Sequence, residues 1–146
     1  AIDSEFLERI ILNILSNSVK YGSENGNIYV KIYFEGKDLV IMIENDGIAI
    51  SYDEQKYIFD KFTKSNKALN RTQEGSGLGL YISKSLMKMQ GGDLKVDIYE
   101  GHGNRFKLYF YDVDLFKEID RTEHIFNNNY YNLKERTEIE FSDIYI

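Results

Sequence analysis

Residues 2–21 repeat apolar side chains with the period of an α-helix. Apolar positions recur three and four residues apart, which predicts a helix with one wide stripe that is buried in the folded protein. The stripe comprises Phe6, Leu7, Ile10, Ile11, Ile14, Leu15 and Val19. Because polar side chains fill the opposite side, we expect this helix to lie on a core and not to be surrounded by it.

Four shorter stretches predict β-strands: three of them alternate apolar and polar residues at every second position, and the fourth, residues 39–43, is a continuous apolar run. Residues 28–34 and 39–43 are separated by a glycine-containing turn and predict a hairpin with one buried face. Residues 94–98 and 106–110 predict a second hairpin. The apolar face of the first strand consists of Ile28, Val30, Ile32 and Phe34.

Two further helices are predicted between the hairpins. Residues 52–62 read as a short helix, and residues 81–89 as a helix that follows directly on the glycine-rich run Glu74-Gly75-Ser76-Gly77-Leu78-Gly79-Leu80. The buried face predicted for the second helix comprises Ile82, Leu86 and Met89.

Composition narrows the class of protein. A chain of 146 residues with 42% apolar content suits one globular domain with a real core. The net charge of −6 argues against a general nucleic-acid surface, because phosphate backbones are bound by clustered lysine and arginine. With 0 cysteines, disulfides, thiolate metal sites and cysteine nucleophiles are excluded. We see no signal peptide or membrane helix, and the abrupt start inside a predicted helix suggests a piece of a longer protein.

The glycines at alternate positions 75, 77 and 79 let the backbone come close to a ligand. A helix that opens from such a turn presents unpaired N–H groups and the positive end of its dipole, which together favour an anion such as a phosphate chain. A flexible turn before a core helix is the alternative interpretation when the glycine cluster is taken alone.

Polar residues interrupt the first helix at positions that share one side. Asn13, Asn17 and Lys20 are spaced by four and three residues, and Tyr21 closes the run. Amide oxygens suit Mg²⁺ and an ammonium group suits phosphate, so the three side chains predict contact with a metal-bound polyphosphate. Capping of neighbouring backbone by the two asparagines is the alternative.

The second strand ends in Glu44-Asn45-Asp46-Gly47-Ile48-Ala49-Ile50. A strand-end asparagine or aspartate accepts a hydrogen bond from the exocyclic amine of a base, and Gly47 leaves room for the ring. The same residues also make a good turn without any ligand. His102 and His124 receive no catalytic role, because one lies in a predicted turn, the other in a polar stretch, and neither has a partner at ligand spacing.

Four of these motifs together resemble the catalytic ATP-binding domain of sensor histidine kinases. Residues 13–21, 45–50, 58–62 and 75–80 are similar to the family's asparagine, first glycine, phenylalanine and second glycine boxes, in the family's order. The resemblance covers residues 5–111. It implies the GHKL superfamily fold shared with gyrase, chaperone ATPases and mismatch-repair proteins. That fold is a two-layer α/β sandwich in which a mixed, mostly antiparallel sheet packs against three helices.

The resemblance also implies the chain's division and its ligands. Residues 1–112 would form the domain, and residues 113–146 an extension that packs on it or adds to it. ATP and Mg²⁺ are the implied cofactors, with Asn17 and Asn13 at the metal. The implied catalytic residues are Asn13 and Lys64, the latter standing where many members carry a basic residue near the γ-phosphate. The implied nucleotide contacts are Asn13, Asn17, Lys20, Tyr21, Asn45, Gly47, Ile50, Phe62, Gly75, Ser76, Gly77, Leu78, Gly79 and Leu80.

Two positions depart from the family's pattern. Asn45 stands where the family has the aspartate that reads the adenine amine, and an asparagine oxygen can still accept from that amine. Ala49 replaces the second glycine of the first glycine box, a change expected to stiffen the turn.

Three functions remain open on the sequence. The first is an enzyme part that passes the γ-phosphoryl group of ATP to a histidine on a separate dimerisation domain, which then serves a response regulator. The parent would be a membrane-anchored sensor with this part in the cytoplasm, and the fragment alone would not phosphorylate itself. The second is a degenerate nucleotide-binding or scaffold module. The third, an autonomous ATPase, is disfavoured because the ATP-hydrolysing relatives have a glutamate where this chain has Asn13.

Overall fold

The computed structural model describes residues 2–62, 77–99 and 103–113. These form two layers, with the helices packed on one face of a four-stranded antiparallel sheet of order β1-β2-β4-β3. Three helices and this sheet confirm the predicted α/β sandwich. The elements in chain order are α1 (Ser4–Tyr21), β1 (Ile28–Glu35), β2 (Asp38–Asn45), α2 (Tyr52–Gln55), α3 (Gly79–Met89), β3 (Asp93–Tyr99) and β4 (Gly103–Phe110).

Helix α1 begins where its first N–H groups find a side-chain acceptor. Asp3 Oδ1 accepts hydrogen bonds from the backbone N–H groups of Glu5 and Phe6, at 2.9 and 3.1 Å. The predicted stripe is buried at Ile10 and Ile14. The last residue of the stripe, Val19, is 42% exposed, so the prediction that it is buried is wrong.

The core lies between this stripe, helix α3 and the inner face of the sheet. Strand register places Ile43 opposite Phe106, and Leu108 between Ile41 and Leu94. All five are buried, and they form one continuous hydrophobic cluster with residues of both helices. The alternating pattern of the second hairpin therefore predicts its buried face correctly on β4.

The predicted buried face of β1 is wrong. Register puts Val30, Ile32 and Phe34 on the same side as the core residues of β2, yet they are 56%, 64% and 44% exposed. Within the described part of the chain, α1 packs on β2 and α3 on β3, so the helices leave the β1 edge uncovered. Val30, Ile32 and Phe34 therefore form an apolar stripe on β1 that no helix of the described residues covers.

The helix predicted over residues 52–62 is shorter than expected. Regular helix covers only Tyr52–Gln55, where Ser51 and Glu54 form a reciprocal capping box. After Gln55 the chain makes turns closed by hydrogen bonds between residues three positions apart. Tyr57 N donates to Glu54 O, and Asp60 N donates to Tyr57 O. These tight turns break the helical ladder.

The buried face of α3 is also shifted from the predicted one. Ser83 and Met87 are buried, whereas Met89, which we placed on that face, is 71% exposed. None of the helices that the structure describes is long and apolar enough to cross a membrane.

Candidate functional site

Helices α1 and α3 meet at an amide. Asn13 Nδ2 on α1 donates a hydrogen bond to Ser83 Oγ on α3 at 2.7 Å. A Cβ atom at Gly79, one turn earlier on α3, would overlap with Asn13 Oδ1. The absence of a side chain at Gly79 is thus what lets the Asn13 amide lie against the first turn of α3. The structure thus brings together the two motifs that contain Asn13 and Gly79.

The end of α1 is joined to the turn after β2. Ser23 N donates to Asp46 O at 2.8 Å, and Ile48 N to Tyr21 O at 3.3 Å. A side chain at Gly47 would overlap with Tyr21 O, so this close approach requires glycine. Burial raises the pKa of the Tyr21 phenol, which keeps that group neutral beside the turn.

Asn45 closes β2 and is 1% exposed. Its Nδ2 donates only a long hydrogen bond, of 3.4 Å, to Asp46 O. Gly103, at the start of β4 with φ of 95°, packs directly on the carbonyl oxygen of Asn45. The backbone around Asn45 is therefore fixed from two sides, while its side-chain oxygen carries no strong internal hydrogen bond in the described structure.

Asn104 is a site residue that sequence reasoning missed. Its Oδ1 accepts from Ile50 N at 2.8 Å, and its Nδ2 donates to Ile48 O at 2.9 Å. The residue is 3% exposed, at the second position of β4. In the sequence, Asn104 is an asparagine in a predicted turn, and no pattern there indicates its two hydrogen bonds.

Helix α3 begins without a side-chain cap. Its N-cap residue Leu78 makes no side-chain capping bond, so that residue supplies no acceptor to the first N–H groups of the helix. Gly77 before it has φ of 68°, a conformation that glycine adopts freely. Gly77 O accepts a hydrogen bond from Phe62 N at 3.1 Å, which joins the end of the α2 region to the start of α3.

A family model described as histidine kinase-, DNA gyrase B- and HSP90-like ATPase matches residues 2–114. The chain belongs to this family. The structure of the mycobacterial sensor histidine kinase MprB is similar to it, with a TM-score of 0.67 and 31% identity. That likeness covers 74% of this chain and 73% of the MprB chain.

Curated relatives are whole sensor kinases. The signal transduction histidine-protein kinase ArlS of Staphylococcus aureus is 35% identical over 103 residues, or 70% of this chain. The circadian input-output histidine kinase CikA of Synechococcus elongatus is 29% identical over 118 residues, or 81% of this chain. The chain spans 23% of ArlS and 16% of CikA. It is thus the ATP-binding catalytic domain of a sensor histidine kinase.

The remaining predicted residues of this histidine kinase domain divide into two groups. Asn17 and Lys20 are half-buried on α1, and Leu78 and Leu80 are half-buried at the start of α3. Phe62 has φ of 63° and its ring is 71% exposed. Lys64, Gly75 and Ser76 lie outside the described residues, as do His102 and His124, to which the sequence assigns no role.

The donor set of the histidine kinase domain fits a nucleotide with a hard cation. No group of three or more histidine, cysteine or acidic side chains that would hold a metal is found in residues 2–62, 77–99 and 103–113. The candidate oxygen ligands are the amide oxygens of Asn13 and Asn17, which lie one turn apart on α1. Hard cations bind such ligands together with phosphate oxygens. Ser18 is 2% exposed, and its buried Oγ atom has no hydrogen-bond partner among the described residues. Binding sites often contain such an atom, which bonds to a ligand or a water molecule.

Proposed function

We propose that this domain binds ATP with Mg²⁺ and presents the γ-phosphoryl group to a histidine on a separate dimerisation and phosphotransfer domain. The observation that carries the proposal is the Asn13 amide, held between Ser83 and Gly79 at the start of α3. An amide there has no lone pair basic enough to activate water. Transfer to a protein acceptor is therefore favoured over hydrolysis.

The phosphate chain would lie on the first turn of α3. The N–H groups of that turn and the helix dipole supply positive potential without a lysine cluster, which suits a protein of negative net charge. Gly77, Leu78, Gly79 and Leu80 would contribute backbone contacts here, with Lys20 from α1. We extend the same role to Gly75 and Ser76, and propose that Lys64 meets the γ-phosphate.

Magnesium would be held by Asn17 and Asn13 together with phosphate oxygens. Bound Mg²⁺ supplies charge neutralisation to the phosphates. The hydrogen bond to Ser83 uses Asn13 Nδ2, so the Oδ1 atom of the same amide is the one that can turn towards a cation. This supports a role for Asn13 in orienting the cation.

The base would enter beside Asn45 and Gly47. Asn45 Oδ1 is suited to accept from the exocyclic amine of adenine, which guanine lacks at that position. Tyr21 and Ile50 would line the same pocket, with Phe62 at its margin. The half-buried phenol of Tyr21, whose pKa is raised by burial, is compatible with a ring or ribose contact.

In the parent protein, we propose that the phosphorylated histidine serves a response regulator and that this domain lies in the cytoplasm below a membrane-anchored sensor. Residues 1–112 would be the catalytic domain and residues 113–146 an extension packed on it. The hydrogen bond from Val113 N to Lys37 O, at 3.0 Å, supports that packing at its first residue.

A degenerate module with weak ATP affinity is the second candidate. It is favoured by Asn45 and Ala49, which stand at two positions of the base-binding turn where the family has aspartate and glycine. Such a module would keep the fold of the domain but bind ATP only weakly.

Calorimetric titration of the 146-residue chain with a non-hydrolysable ATP analogue separates the two. We expect micromolar, magnesium-assisted binding and no comparable binding of the GTP analogue. Asn45→Asp is the matched variant, and we expect it to change affinity only a few-fold. Absence of binding at millimolar nucleotide, with large recovery in Asn45→Asp, would establish the degenerate module instead.

A further inference from the structure

Asn104 uses both ends of its amide on one short segment. The carbonyl oxygen receives Ile50 N–H and the amide nitrogen donates to Ile48 O, at 2.8 and 2.9 Å. Those two backbone groups flank Ala49. A single side chain, 54 and 56 positions away in sequence, thus fixes the backbone on both sides of one residue.

The segment that it fixes has no other described side-chain support on that side. At its start, Ile48 is tied to α1 through Tyr21 O. At its end, Ser51 is tied to α2 through the capping box with Glu54. Between these anchors, Asn104 is what connects the turn to the sheet. Asn104 is only 3% exposed, which strengthens both bonds because little water competes for them.

Asn104 also lies directly across from Asn45 in the strand register. Its neighbour Gly103 packs on the Asn45 carbonyl, so β4 supports Asn45 by close approach and the following segment by hydrogen bonds. The first two residues of β4 therefore hold both Asn45 and residues 48–50, in addition to the backbone bonds from the end of α1.

We propose that Asn104 is a positioning residue that sets base selectivity. It acts by holding residues 48–50 at the distance from Asn45 that fits an adenine ring. The proposal rests on the nucleotide site proposed above. Because the described hydrogen bonds of Asn104 go to residues 48 and 50 and none goes to the start of α3, Asn104 would affect recognition of the base and leave recognition of the phosphates unchanged.

The test compares three probes on the intact chain with Mg²⁺: a non-hydrolysable ATP analogue, its GTP counterpart and inorganic tripolyphosphate. Asn104→Ala removes both hydrogen bonds, and Asn104→Asp keeps the shape but removes the donor to Ile48 O. We expect each variant to lose about tenfold in affinity for the ATP analogue. The ratio of ATP-analogue to GTP-analogue affinity should fall, with tripolyphosphate affinity unchanged.

Val40→Ala is the control, because Val40 is fully buried towards the other end of β2 and its truncation lowers stability without touching the turn. If the Asn104 variants keep the wild-type affinity ratio and only melt earlier, as Val40→Ala does, Asn104 is structural and the inference is wrong. If wild type binds tripolyphosphate but no adenine nucleotide, the proposed base site is wrong, and so is the inference that rests on it.

Hydrogen exchange of the Ile50 amide in the free chain gives a measurement independent of nucleotide. We expect protection in wild type and Val40→Ala and rapid exchange in Asn104→Ala. If Asn104→Ala does not fold, Asn104→Asp carries the affinity comparison. Asn104→Asp keeps the acceptor of Ile50 N and should therefore stay protected. Protection of Ile50 in Asn104→Ala equal to that in wild type would show that Asn104 does not hold this segment, and the inference would be wrong.

Discussion

Asn13 Nδ2 and Ser83 Oγ, 70 positions apart in sequence, are 2.7 Å apart in the folded chain. Ser83→Ala leaves this half-buried amide donor without its partner, so we expect a loss of about 1 kcal/mol in the free energy of unfolding. Magnesium-assisted nucleotide affinity should fall as well. Ser85→Ala on the same helix is the control, since Ser85 Oγ donates to Tyr81 O of its own helix. Urea denaturation should separate the two variants, and equal losses would contradict a special role for Ser83.

Gly79→Ala tests the other contact of the Asn13 amide. The added methyl overlaps with the Asn13 side chain and displaces it, which should lower the free energy of unfolding by about 2 kcal/mol. In an Asn13→Ala background the space is open, and the better helix propensity of alanine should make the same change stabilising by up to about 1 kcal/mol. If the two substitutions have additive effects in a double-mutant cycle, the contact between Gly79 and Asn13 does not cause the loss of stability, and the prediction is wrong.

Two glycines with positive φ provide a matched pair. Gly36 has φ of 64° and no atom within 4 Å of the position that a Cβ would take, whereas Gly103 has φ of 95° and packs on Asn45 O. Gly36→Ala should therefore cost about 1 kcal/mol from backbone strain alone. Gly103→Ala should cost about 3 kcal/mol or more, because its methyl also meets a backbone atom. Similar melting temperatures for the two variants would mean that the turn moves away from β4 without penalty.

Ile32 and Ile41 are cross-strand partners with opposite surroundings. Ile41 is 7% exposed and Ile32 is 64% exposed. Ile41→Ala should lower the free energy of unfolding by about 3 kcal/mol, and Ile32→Ala by less than about 1 kcal/mol. Chemical denaturation gives both values. A large loss for Ile32→Ala would reveal that other residues of the chain cover the β1 stripe.

The ion pair between Lys84 and Asp93, at 2.8 Å, predicts a pH dependence. Burial alone would raise the pKa of Asp93, but the hydrogen bond and charge of Lys84, with the Leu94 N–H bond and the charge of Lys95, together hold that pKa below its ordinary 3.8. A carboxyl with a lower pKa in the folded state stabilises the protein above pH 3.8. This contribution is lost as pH falls through the folded value.

Asp93→Asn isolates that charge. At pH 7 it should destabilise the domain by about 1 kcal/mol, and the difference from wild type should close well below pH 3.8. Asp53→Asn is the control, because Asp53 pairs with Lys56 at 3.5 Å while 92% exposed and should have almost no effect. Urea unfolding at both pH values measures each difference, and a gap that persists in acid would assign the effect to packing.

Periodicity predicted the elements whose apolar faces meet the core, such as α1 around Ile10 and β4 around Leu108. It could not show that β1 lies at an uncovered edge, because a pattern identifies an apolar face and not what packs against it. The predicted helix over residues 52–62 failed for a related reason. Its apolar residues Ile58 and Phe59 do reach the core, but through tight turns.

The motifs predicted one nucleotide site that includes Asn13, Tyr21, Gly47 and Gly79, and in the structure Asn13 lies against Gly79 and Tyr21 O against Gly47. They did not indicate Ser83 or Asn104, whose roles depend on hydrogen bonds across 70 and 54 positions. A buried serine on an apolar helix face gives a faint signal, since an unpaired hydroxyl there is costly. For Asn104, only the fold places the amide against the turn.

Phe62 and Gly77 are hydrogen-bonded neighbours, so the stretch of chain between them departs and returns at one place. Lengthening such a closed stretch costs little, about 0.6 kcal/mol of chain entropy for each doubling. Residues added between Phe62 and Gly77 would therefore not by themselves require this contact to open. The register between the end of the α2 region and the start of α3 is set by that contact and not by the length of the sequence that joins them.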